Sequence, residues 1–123
     1  MNSKVTMVLR LILGLILLVF GVNKFFHFMP MPPMEGAPAA FMGALGKAGY
    51  MFPLIAFTEI FAGALLLLNK WVGLALILAA IISVNIVAFH LVLDPAGVGL
   101  AAVVAILNTV LIYANWSKFK TLF

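Results

Sequence analysis

The sequence contains no cysteine and few charged side chains. Its 123 residues include seven lysines and arginines and only three aspartates and glutamates. Without cysteine the chain has no disulfide, no thiolate metal site and no dithiol redox relay, so redox chemistry would need a bound cofactor or another subunit. The net charge of +4 reflects the scarcity of acids, and nucleic acid is therefore not an expected partner.

Apolar residues dominate what remains. They make up 67% of the chain, whereas soluble domains have about 45–50%, and this difference predicts an integral protein of the lipid bilayer. Four apolar runs approach the ~20 residues that a membrane-spanning helix needs. The predicted spans are residues 5–26, 50–68, 71–93 and 97–116. Their short connections predict a single all-α transmembrane domain, a four-helix bundle that runs up-down-up-down.

Residues 28–49 form the long connector between the first two spans and are rich in proline, methionine and glycine. The prolines forbid a continuous helix, but residues 39–47 are predicted to form a short interfacial helix. Residues 27–34 combine one histidine with three methionines, and thioethers are ligands for Cu(I). Methionine also suits packing at a membrane surface. We favour this second interpretation and predict no metal site.

Lysines are distributed unequally between the two ends of the predicted bundle. The side of the termini carries Lys4, Lys70, Lys118 and Lys120, whereas the opposite side carries only Lys24 and Lys47. Basic residues are enriched on the cytoplasmic side of membrane proteins. We therefore expect both termini to be cytoplasmic and the connector at 28–49 to be external.

Glu59 lies near the middle of the second span. A carboxylate at that depth is costly in lipid, so it is expected to face the bundle interior and to mark a functional site. One face of the first span carries a cation toward each end and two glycines between them, formed by Arg10, Gly14, Leu17, Gly21 and Lys24. Antiparallel packing places Glu59 between Arg10 and Lys24, and the sequence leaves the counter-ion open. With Asn23 these three residues form a candidate ligand-binding or buried polar cluster.

A second polar group is predicted toward the external side. His27 ends the first span, while His90 and Asp94 are one helical turn apart near the end of the third. Such a set suits a proton relay or a metal site. The alternative, which we favour, is that both histidines lie among lipid headgroups. Asn85 and Asn108 are predicted to hydrogen-bond to another helix or to a second protomer.

Short motifs in the first two spans resemble a known family. Arg10-Leu-Ile-Leu-Gly14 is followed by Phe20-Gly21-Val-Asn-Lys24-Phe25, by a loop rich in glycine, proline and alanine, and by Thr58-Glu59-Ile-Phe-Ala-Gly63. In order and spacing the chain resembles the DoxX-like family of small four-helix membrane proteins over essentially its whole length. The resemblance implies a bacterial inner-membrane protein. Its relatives include small subunits associated with thiosulfate:quinone oxidation and partners in membrane oxidoreductase complexes.

Two functions remain open from the sequence. In the first, the chain is a subunit of a membrane-associated redox complex and binds a quinone headgroup or a small anion near Arg10, Lys24 and Glu59. In the second, it is a noncatalytic membrane module that binds a lipid-like ligand or positions a partner protein, and the polar cluster only fixes helix register. Redox partner subunits and a homo-oligomer are both compatible with these functions. No motif indicates catalysis by this chain alone, so the sequence leaves open whether it is an enzyme.

Overall fold

The computed structural model describes residues 2–28 and 34–120, and this part of the chain is helical, with no β-strand. The α-helices are α1 (Ser3–Phe26), α2 (Gly36–Ala48), α3 (Met51–Leu68), α4 (Val72–Val92) and α5 (Val98–Ala114). Two short 3-10 helices flank α5, at Pro95–Gly97 and Trp116–Lys118. The predicted all-α fold is confirmed.

Four segments in the described part of the chain are long and apolar enough to cross a membrane. They are α1, α3, α4 and the continuous stretch Pro95–Ala114. Most side chains on their outer surfaces are apolar and exposed, including Phe57 and Val84, as expected for surfaces that face lipid instead of water. The chain is therefore a multi-pass membrane protein, and a four-helix bundle accounts for the packing of its spans.

The turn between α3 and α4 makes these two helices antiparallel. Asn69 has a left-handed backbone (φ 55°), which asparagine tolerates better than most residues. The Lys70 N–H donates to the Leu65 carbonyl at 3.0 Å and the Asn69 N–H donates to the Leu66 carbonyl at 3.3 Å. These two bonds form a Schellman motif, which satisfies carbonyls at the end of α3 and reverses the chain.

The short helix predicted at 39–47 begins earlier than expected, at Gly36. Pro38 is its third residue, and proline is tolerated there because N–H groups of the first turn have no intrahelical acceptor. No residue of α2 is buried. Phe41 packs against Phe89 of α4, with ring centroids 5.6 Å apart. The helix therefore covers the end of the bundle where α3 begins and α4 ends.

The most extensive packing in the bundle is between α1 and α3. The largest fully buried side chains are Leu13, Leu17, Leu66, Leu76 and Leu111. Asn108 joins α5 to α4, since its Nδ2 donates to the Leu76 carbonyl at 3.2 Å. This bond confirms the interhelical role predicted for Asn108. Asn85 instead donates to Ile81 of its own helix.

Candidate functional site

Glu59 is buried between α3 and α1 and forms an ion pair with Lys24. Its Oε1 lies 2.5 Å from the Lys24 Nζ, and this is the one polar contact of that oxygen among the described residues. Only 8% of the Glu59 side chain is exposed, compared with 26% of the Lys24 side chain. Of the two cations that the sequence leaves open, Lys24 is the partner.

Gly21 explains why α1 approaches α3 closely at this level. A β-carbon on Gly21 would lie 3.0 Å from both the Ala56 carbonyl oxygen and the Glu59 Cβ. Lys24 is one turn beyond Gly21. Because helical side chains lean toward the N-terminus of their helix, the Lys24 side chain extends back along α1 toward Glu59.

The ion pair connects the interior of the bundle to its surface. Glu59 is the ninth of 18 residues in α3, which places it about 12 Å from the start of that helix. Lys24 belongs to the last turn of α1, and its side chain is partly exposed. The pair therefore combines a hydrogen-bond acceptor in the interior with an ammonium group that has further N–H donors near the surface.

Arg10 is separate from this pair and acts on a different part of α3. Its Nη1 donates to the Leu66 carbonyl, which is in the last turn of α3. A cation is favourable there because the carbonyls at a helix C-terminus carry partial negative charge. Leu66 is seven residues beyond Glu59, or about 10 Å along the helix. Arg10 therefore lies apart from the other members of the candidate cluster, and the cluster is divided into two sites.

Asn23 is buried beside Lys24 in sequence, with 5% of the residue exposed. Its carbonyl accepts a hydrogen bond of 2.8 Å from the His27 N–H, at the end of α1. His27 adopts a left-handed conformation (φ 51°) as the cap of that helix. Asn23 and Lys24 thus both belong to the last turn of α1, which His27 caps.

The structure brings together two members of the predicted relay. His90 Nδ1 lies 3.7 Å from Asp94 Oδ2 and 3.3 Å from the Asp94 carbonyl oxygen. Gly97 packs on the imidazole, where a β-carbon would lie 2.7 Å from the His90 Cε1. His27 is exposed, and in the described part of the chain no hydrogen bond or ion pair joins it to the other two. The described contacts thus join two of the three predicted relay residues, His90 and Asp94.

The described residues include no cluster of metal-binding side chains. Across residues 2–28 and 34–120, no three or more histidines, cysteines, aspartates or glutamates are placed to hold one ion. Residues 29–33, which include two of the three methionines of the motif at 27–34, lie outside the described residues.

An open groove on the outer surface of α3 and α4 was not predicted from the sequence. It has a volume of about 370 Å³ and is lined by Phe57, Thr58, Phe61 and Leu78. Its walls are apolar apart from the Thr58 hydroxyl, which donates to the Leu54 carbonyl at 2.8 Å. The spacing of Phe57 and Phe61 by four residues was the available signal. The residues of α3 are apolar on every side of the helix, so hydrophobicity alone did not distinguish the face that lines the groove.

Comparison with known proteins identifies the family of the chain. No curated protein and no solved structure matches it. The family model described as DoxX matches residues 5–91, a region that extends from α1 into the last turn of α4 and includes Arg10, Lys24 and Glu59. The match is shorter than the whole-chain resemblance expected from the motifs, because α5 lies beyond it. Since the matched region is well over half of the sequence, the chain belongs to the DoxX family of membrane proteins.

Proposed function

We propose that the chain is a membrane-embedded subunit of a redox complex in the bacterial inner membrane, and that it binds a quinone headgroup or a small anion beside the pair formed by Lys24 and Glu59. The observation that carries this proposal is a carboxylate buried in the middle of a membrane-spanning helix and held by a partly exposed lysine. Intramembrane ionisable residues mark ligand or proton pathways more often than passive structure. The redox assignment comes from the family resemblance.

Lys24 is the residue that would contact the ligand first. Its ammonium group has three N–H donors, and only one of them is needed for Glu59. The Lys24 side chain is 26% exposed, and the proposal has a carbonyl or anionic oxygen of the ligand bind Nζ from this exposed side. Reduction of a quinone consumes two electrons and two protons. A partner subunit would supply the electrons, and Glu59 would take up and release protons next to the bound headgroup.

The positions of the basic residues support an orientation for this subunit. Lys70 lies in the α3–α4 turn, at one end of the bundle. Lys118, in the segment after α5, lies at the same end, because the Lys118 Cβ is 3.8 Å from a β-carbon built on Gly73. Lys4, the second residue of α1, lies at this end as well. Positive residues favour the cytoplasmic side, so the proposal places both termini in the cytoplasm and α2 outside.

A second function is favoured by a different observation. Lys24 binds Glu59 and Arg10 binds the Leu66 carbonyl, so polar contacts join α1 to α3 at two levels. Such contacts fix the register of two helices without any ligand. In this alternative the chain is a noncatalytic module that binds a lipid-like molecule or positions a partner protein.

The test is purification of the full chain from its native membrane, followed by measurement of quinone, phospholipid and partner protein per chain. We expect stoichiometric quinone or a bound anion in the wild-type protein and its loss in Lys24→Gln and Glu59→Gln. Two control variants should retain the ligand. Arg10→Gln changes a residue at the other end of α1 and α3, and Glu35→Gln makes the same carboxyl-to-amide change at an exposed position.

Two results would favour the alternative. One is a stoichiometric partner protein or lipid with no quinone or anion. The other is that Arg10→Gln and Glu59→Gln lose ligand to the same degree, and that each loss is proportional to the loss of thermal stability. Ligand binding would then depend on helix packing and not on the charge beside the ligand.

A further inference from the structure

Asn85 places an amide on the outer surface of a membrane-spanning helix. It is exposed, and its neighbours Ile81 and Val84 are 57% and 69% exposed. Asn85 is seven residues from the end of α4 at Val92, or about 10 Å along the axis. This depth is within the hydrocarbon layer, where an amide without hydrogen-bond partners is unfavourable.

The hydrogen bonds of Asn85 leave part of the amide unused. Its Nδ2 donates to the Ile81 carbonyl at 2.8 Å, but the amide has a second N–H and an acceptor oxygen. The membrane-embedded hydroxyls are different, because each donates its single proton to the carbonyl four residues earlier, as in Thr58, Ser83 and Thr109. Asn85 is the one exposed side-chain amide in the described spans, since Asn23 and Asn108 are buried.

We propose that a second copy of this chain docks on this face of α4, with the two Asn85 side chains hydrogen-bonded to each other. An amide is self-complementary, because the carbonyl of one can accept from the N–H of the other. A residue that lies beside a twofold axis faces its own copy, so with Asn85 at the axis one asparagine satisfies both protomers. A lipid tail offers neither donor nor acceptor, and the second copy is therefore the occupant that the chemistry favours.

The shape of the same surface fits this arrangement. Leu78 precedes Asn85 by seven residues, which is about two helical turns, so the two lie along the same edge of α4. Leu78 is also a wall of the open groove of about 370 Å³ between α3 and α4. Apolar side chains of the second copy would fill that groove while the amides pair beside it. Pairing of the two copies at Asn85 does not require the proposed quinone or anion site.

Disulfide cross-linking can locate the interface, because the sequence has no cysteine and single introduced cysteines have no background. Ala88→Cys lies one turn from Asn85 on the exposed side of α4. Val103→Cys is the matched control on the exposed face of α5. In vesicles of phosphatidylethanolamine and phosphatidylglycerol, oxidation should link Ala88→Cys into dimers and leave Val103→Cys monomeric. Equal cross-linking of the two variants would overturn the proposal.

Association should also depend on the amide itself. Single-molecule photobleaching in the same vesicles, at several ratios of protein to lipid, should show a dimer that dissociates on dilution. Asn85→Leu should raise the dissociation constant roughly 3- to 30-fold, and Asn85→Gln should recover part of the difference. Thr109→Val removes a polar group whose bond is internal to α5, and should have no effect. A wild-type chain that is monomeric at every ratio, or an Asn85→Leu chain that dimerises equally well, would refute the inference.

Discussion

Gly63 of α3 lies directly against the backbone of α1 at Gly14. A β-carbon on Gly63 would stand 2.7 Å from the Gly14 carbonyl oxygen and 2.8 Å from the Leu18 nitrogen. Both atoms belong to the backbone, so neither can rotate away. A similar close approach occurs at Gly21, about two turns further along α1. Together the two contacts set the distance between the helices and allow Lys24 to reach Glu59.

Gly63→Ala should therefore destabilise the protein by about 1–3 kcal/mol, the usual cost of forcing extra volume into a packed interface. The matched control is Gly43→Ala, because nothing lies within 4 Å of a β-carbon at Gly43 and the residue is in the interior of α2. That variant should be neutral or slightly stabilising, since alanine favours a helix more than glycine does. Thermal unfolding in detergent measures both. Equal stability of the two variants would contradict the packing of α1 on α3.

The spans were predictable because length and hydropathy determine which segments can cross a bilayer. The face of α1 that packs on α3 was predictable for a similar reason, since Gly14 and Gly21 are spaced on one side of the helix with two cations. The start of α2 was less predictable. Pro38 is a strong local signal against a helix, but it is harmless in the first turn, and the sequence does not mark which turn comes first.

The choice between Arg10 and Lys24 as the partner of Glu59 was not available from the sequence. Both lie on the correct face, and the decision depends on the axial stagger of α1 against α3, which periodicity does not specify. Once that stagger is set, Arg10 reaches the C-terminal end of α3. Capping of another helix by a side chain is a tertiary contact, and no local motif predicts it.

Arg10→Leu should destabilise the protein by about 1.5–3 kcal/mol, the usual contribution of a hydrogen bond with a charged donor. The Leu66 carbonyl loses this donor, and the helix end loses a favourable charge. Arg10→Lys should recover part of the loss, because the charge remains while the geometry of the guanidinium is lost. Thermal unfolding of the three proteins measures the series. An Arg10→Leu protein as stable as wild type would show that the contact contributes nothing.

Purified protein should contain negligible transition metal, and His90→Ala should not change that amount. His90 and Asp94 provide two side-chain ligands at most, and His27 is not joined to them in the described part of the chain. Stable sites for zinc usually have three or four protein ligands. Elemental analysis after a mild chelator wash measures the content. Stoichiometric zinc or copper that is lost in His90→Ala would show that a third ligand completes the site.

Cysteine labelling should establish the orientation of the bundle. Ala37→Cys, on the exposed surface of α2, should react with an impermeant maleimide in intact cells. Ser117→Cys, exposed after α5, should react only after the membrane is permeabilised. The expectation rests on four spans that return the chain to its starting side and on the excess of lysine at that side. The opposite pattern of labelling would reverse the proposed orientation.

Substitutions at Glu59 and Lys24 can separate a structural role of the ion pair from a functional one. Glu59→Ala should lower the free energy of unfolding by roughly 3 kcal/mol, at the lower end of the range for a broken buried pair, because the partly exposed Lys24 can still contact water. Glu59→Gln should cost less, since the amide keeps the shape and accepts a hydrogen bond from Lys24.

The double variant Lys24→Met with Glu59→Leu completes the comparison. It removes both charges and fills their space with apolar atoms, so its stability should return close to that of the wild type, as found for other buried pairs. Ligand binding should nevertheless be absent, because the ammonium donor and the ionisable carboxyl of the proposed site are both gone. Thermal unfolding and the amount of bound quinone or anion are measured on the same preparations. Retained ligand in this stable double variant would show that the pair serves only to join α1 to α3.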